Sequence, residues 1–219
     1  MRLFLAGGGP RRANRESLPM TLLTIMKMLH LVGLVMGFGG AVAADLLILR
    51  RAALTPIRAH TIRQAKVLSH AVFAGLGLLW ASGAALVWIR AAADPHFLLN
   101  EKLWAKVAIV IILTINGAAV HRFALGHMAQ RVGLRLFDNL SANALAGLAL
   151  IGAISSVSWF VPFLLGTATE LNFKVKMEDV LSVYAMAVVA AWLVIFTVAS
   201  RFSSSTPESE PSFDMRATG

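Results

Sequence analysis

Apolar and polar positions alternate along the chain in long blocks rather than at helical or strand period. Five stretches are apolar for 18 or more residues, and short charged segments separate them. The spans run at about 22–49, 67–89, 103–121, 140–165 and 180–200. A run of that length crosses a bilayer as a helix, because only a helix or a closed barrel satisfies every backbone N–H and C=O without water. The pattern therefore predicts an all-α integral membrane protein, a five-transmembrane-helix bundle over residues 20–201. Residues 1–19, with Gly7-Gly-Gly-Pro10 and Arg11, Arg12 and Arg15, are read as a disordered tail, or as a start-site artefact if Met20 is the true start rather than Met1. The Ser-, Pro- and acid-rich residues 202–219 are read as a second disordered tail.

Composition agrees with this reading. The chain is 58% hydrophobic and 14% charged, with a mean hydropathy of +0.73, far from soluble averages. The net charge of +9 comes from bases in the short loops, so it reads as membrane topology and not as a nucleic-acid surface. With no cysteine, Cys-ligated zinc, iron–sulfur clusters and disulfides are excluded, and any bound metal must use His, Met, Lys, Asp or Glu.

The loop Arg50–Lys66 holds Arg50, Arg51, Arg58, Arg63 and Lys66 and no acid. The loop after the third span is also Arg-rich, whereas the second and fourth loops mix acids with bases. The positive-inside rule puts the richer loops in the cytoplasm, the N-terminus outside and the C-terminus inside, in a cell inner membrane. Arg11, Arg12 and Arg15 conflict with an outside N-terminus, and a start at Met20 removes the conflict. Trp88, Trp104 and Trp159 then fall at the outer ends of their spans, as an aromatic belt. Pro162 is expected to kink or end the fourth span.

Ionisable residues inside the spans stand out, since each costs about 2.5–3.5 kcal/mol near a helix centre on insertion scales. Lys27, His30 and Lys106 fall in the outer half, and Asp45, His70 and His121 near the cytoplasmic face. His30 and Asp45 on span one, like Lys106 and His121 on span three, are fifteen residues apart, about 60° round a helix. Each helix thus offers polar groups at two levels on one half-cylinder. The functional reading is a buried cofactor or ion site with His30, His70 or His121 as metal ligands and Asp45 as an acceptor behind them. The competing reading has Lys27 and Asp45 snorkelling to the interfaces and His70 and His121 bonding headgroups or backbone. His60, His96 and His127 are read as solvated loop residues, and Met26, Met28 and Met36 as packing rather than a copper path. Gly33, Gly37 and Gly40 give span one a small-residue face for close helix approach.

The order of Lys27-Met-Leu-His30, then Gly37-Phe-Gly39-Gly40, then LLWASGAALVW in span two and EKLWAKVAIVIILTINGAAVHR in span three resembles the CopD-type copper-resistance membrane domains and HemJ-type protoporphyrinogen oxidases. The resemblance covers about residues 22–122. It departs at the first helix, where the aromatic residue before the Gly pair is displaced and the Pro-Arg of HemJ-type proteins is replaced by Ala44-Asp45. It implies a bundle that holds b-type haem through His30, with Lys106 near the same site; on the depth of the residues alone, Lys27, His70 and His121 are further cofactor-binding candidates. Three functions follow as expectations. The first is haem-linked electron transfer or oxidation of a porphyrin or quinone substrate, with a redox partner. The second is copper handling of the CopD kind. The third is a ligand-free structural or assembly membrane protein whose Gly faces serve helix packing alone. Membrane lipids, and a second copy in a homo-oligomer, are the further partners expected. No Gly-x-Ser-x-Gly or His-Glu-x-x-His motif points to a hydrolase.

Overall fold

A computed structural model of the chain describes residues 10–48, 55–138 and 140–203. Its helices are α1 (Pro10–Leu47), α2 (Ala59–Ala93), α3 (Glu101–Ala119), α4 (Leu125–Gln130), α5 (Ala142–Thr167) and α6 (Met177–Ser203). A π turn at Val120–Ala124 joins α3 to α4. Five helical stretches are long and apolar enough to cross a membrane: Met20–Leu47, Ala59–Ala93, Glu101–Gln130, Ala142–Thr167 and Met177–Phe202. Even α5, with 26 residues, is about 39 Å long, more than the roughly 30 Å of a hydrocarbon core. Leu31, Val35, Ile115, Val183, Met186 and Val194 all point outward, an apolar exterior that water would penalise and lipid does not.

The boundaries differ from those expected in three places. Residues 10–19, read as a tail, continue α1 as helical backbone from Pro10, a first-turn position where proline's missing N–H forfeits no bond. Span two begins at Ala59, so His60, Arg63 and Lys66 belong to a helix and not to the loop; Pro56 and extended Arg58 precede it. Span three does not stop at His121 but passes through the π turn to Gln130, which places His127 on a helix. Residues 1–9 and 204–219 of the two tails, and Arg50 and Arg51, lie outside the described residues.

Helix ends are tied by local chemistry. Asp94, held extended before Pro95, accepts from the backbone N–H of His96 at 3.0 Å. Ser141 Oγ caps α5 by accepting from Ala144 N at 3.3 Å. Glu101, in the first turn of α3, reaches across to accept from Met177 N at 2.8 Å, so one carboxylate lies near the positive ends of two helices. Pro162 does not end α5, which continues to Thr167.

α1 packs along α2, and α3, α5 and α6 form the other half of the bundle, joined to the first through α1 and α5. The glycine face of α1 explains the first pairing: a Cβ built on Gly75 of α2 would sit 2.7 Å from Gly33 O and 2.8 Å from Gly37 Cα. The two backbones touch because neither carries a side chain there. Polar side chains fasten the other helices. Asn116 Nδ2 donates to Ile151 O at 3.1 Å, Trp192 Nε1 to Ala146 O at 3.0 Å, and Ser158 Oγ and Tyr184 Oη share a bond of 2.8 Å. At the end carrying Arg58, Ile57 N donates to Leu134 O and Gly133 N to Ile57 O, at 2.8 and 2.9 Å. These bonds draw Ile57, Met128 and Leu136 into one buried cluster that closes that end of the bundle.

Candidate functional site

His30 stands on the half of α1 that meets α2. Ser82, 2% exposed, lies opposite it, with Nδ1 to Oγ at 3.0 Å, and the hydroxyl of Ser82 donates back to Leu78 O at 2.5 Å. A hydroxyl has one proton, and here the backbone carbonyl takes it. Because Ser82 Oγ is closer to Leu78 O, the bond to His30 is best described as Nδ1–H donating to Ser82 Oγ, and the backbone of Leu79 is a second hydrogen-bond partner of the ring. Gly83 lies beside the ring, where a Cβ would make ordinary van der Waals contact with His30 Cε1 at 3.4 Å. The result is an imidazole held in one orientation by its hydrogen bonds to α2.

Lys106, half-buried on α3, acts electrostatically on His30. It in turn feels the charges of Lys102 and Arg90. Among the described residues it has no carboxylate partner and no hydrogen bond. The charged groups that act on His30 and Lys106 are thus basic, while Glu101 at the same end is taken up by Met177 N. Lys27, one turn before His30, is exposed.

The other candidates do not join this site. His70 is exposed, with its Nδ1 donating to Lys66 O of its own helix at 2.7 Å. His121 is exposed in the π turn, edge-on to Phe73 with ring centroids 6.0 Å apart. Asp45 contacts neither; it faces Ser156 of α5, Oγ to Oδ2 at 3.3 Å. Among the described residues no three His, Asp or Glu side chains converge as a metal would require. His127, expected in a solvated loop, is half-buried on α4 with its Nε2 buried and unpartnered.

Two residues carry more than their sequence context suggested. Lys102, placed in a loop by hydropathy, is 1% exposed; its ammonium bonds the carbonyl of Ala168 and, at 3.0 Å, Asn172 Oδ1. It thereby anchors the α5–α6 connection to the start of α3. Trp159 is no belt residue: it is 2% exposed, its ring pressed on Gly37 and its indole N–H without a partner. An aromatic that large is buried here because Gly37 leaves a slot for it. Trp88 and Trp104, by contrast, are exposed near the end that carries Asp94.

Trp159 also walls a cavity of about 410 Å³ enclosed by α1, α2, α3, α5 and α6, in the half of the bundle away from His30. Its lining is apolar apart from Asp45, Ser69, Ser155 and Ser156. Comparison with family models, curated proteins and solved structures gave no match to this chain.

Proposed function

We propose that the chain is a five-span protein of the cell inner membrane, N-terminus outside and C-terminus cytoplasmic, that binds b-type haem at His30 and passes electrons, with a quinone or porphyrin as the partner substrate. The observation that carries this reading is the Leu78–Ser82–His30 relay, which orients a half-buried imidazole as a ligand histidine is oriented by the partner of its other nitrogen. The donor set fits haem held by one axial imidazole, as a single proximal histidine can. Haem bound there would supply one-electron chemistry. Lys106, with no carboxylate of its own among the described residues, is suited to pair with a propionate. The CopD- and HemJ-like order of motifs supports the same assignment. Copper handling has less support, because among the described residues the histidines and acids do not gather.

The test is the absorption spectrum of protein purified with haem. We expect a Soret band that His30→Ala removes, that Ser82→Ala shifts without changing yield, and that His96→Ala, exposed in the turn between α2 and α3, leaves unchanged. A Soret band indifferent to His30→Ala would refute the assignment. Reporter fusions in the loop Arg50–Arg58 test the orientation, and activity there only outside the cytoplasm would overturn it.

A further inference from the structure

We infer that the cavity around Asp45 is a binding site for an amphipathic organic cation, an amine or quaternary ammonium carrying a ring. About 22 Å of α1 separates it from His30, so it stands independently of the haem reading.

Asp45 is the one charged side chain in the lining, and its carboxylate is poorly served. Among the described residues the one hydroxyl bonded to it, Ser156 Oγ, lies 3.3 Å away and is closer, at 3.0 Å, to Gly152 O of its own helix. Ser156 has one proton for two acceptors, so the shorter bond leaves Asp45 with at most a shared donor. A carboxylate can accept about four hydrogen bonds. Among the described residues no lysine, arginine or histidine lines the cavity to compensate. A carboxylate with no cationic partner among the described residues, in an apolar pocket, is complementary to a cation that brings its own apolar body.

The walls suit such a body. Phe73, Phe137 and Trp159 offer aromatic surface to an ammonium. The volume of about 410 Å³ lies within the 300–1,000 Å³ usual for small-molecule sites. The buried cluster of Ile57, Met128 and Leu136 shuts the end nearest Asp45, so a charge placed there is shielded from the aqueous phase on that side.

The test uses full-length protein in dodecylmaltoside micelles, whose headgroups carry neither a charge nor an ammonium that could compete for the site. Benzyltrimethylammonium is titrated against its neutral isostere neopentylbenzene, and binding is read from tryptophan fluorescence and calorimetry. We expect saturable binding of the ammonium and at least tenfold weaker binding of the isostere. Asp45→Asn should weaken the ammonium by a similar factor and leave the isostere unchanged. Equal affinity for the two probes in the wild-type chain would overturn the inference: it would mean an apolar filler such as an acyl chain, or an Asp45 that is protonated and itself donates to Ser156. Absence of saturable binding would overturn it as well. The wild-type comparison decides even where Asp45→Asn is not recovered folded.

Discussion

Replacing Gly75 by alanine tests the contact on which the α1–α2 half of the bundle depends. The added methyl would lie 2.7 Å from Gly33 O and 2.8 Å from Gly37 Cα. Both obstacles are backbone, so no side-chain rotation relieves them and the helices must part. Overpacking costs about 1–3 kcal/mol, and a backbone obstacle belongs to the upper part of that range. Alanine's better helix propensity returns about 1 kcal/mol, leaving a net loss of about 1–2 kcal/mol. Gly77, two residues on, supplies the control: a Cβ there meets nothing within 4 Å, so Gly77→Ala should be neutral or gain up to about 1 kcal/mol. The assay is equilibrium unfolding of both variants and wild type in mixed dodecylmaltoside–SDS micelles, where about 1.4 kcal/mol is a tenfold change in the folding constant. If Gly75→Ala unfolded at the same or a higher SDS fraction than Gly77→Ala, the backbone contact would be absent and the reasoning wrong. The stake reaches the site, because Ser82 holds His30 across that same interface.

Two further outcomes are expected. Lys102→Met keeps the length of the side chain but removes its bonds to Ala168 and Asn172; a loss of about 1–3 kcal/mol is expected, with hydrogen exchange faster in residues 168–176 than elsewhere. Tyr184→Phe deletes the buried bond to Ser158 and should cost about 1 kcal/mol in the same unfolding assay; a variant as stable as wild type would show that the two hydroxyls do not meet.

The five helices long and apolar enough to cross a membrane were legible because length and apolarity are both local properties of the chain. Their ends were less so. Hydropathy stops counting where arginines begin, yet Arg63, Lys66 and Arg122 sit on helical backbone that hydrogen bonding carries past the apolar run. The glycine face of α1 was legible too, since Gly33, Gly37 and Gly40 recur at helical spacing, and its partner Gly75 is where the backbones meet. His30 declared itself as an ionisable group at depth, whereas Ser82 gave no sign: a serine in an apolar span is common, and what matters is that its proton is already used by Leu78 O.

What the sequence determined by itself is therefore the all-α architecture, the number of long apolar helices and the levels at which polar residues lie, because each follows from spacing along one helix at a time. The tertiary structure decided which of those residues meet. It turned Asp45 toward α5 rather than toward His70 or His121, buried Trp159 against Gly37 instead of leaving it in an interfacial belt, and made Lys102 the anchor of the α5–α6 connection. Such outcomes depend on the rotation and crossing of helices distant in sequence, set by where small residues let backbones approach, and no single span carries that information.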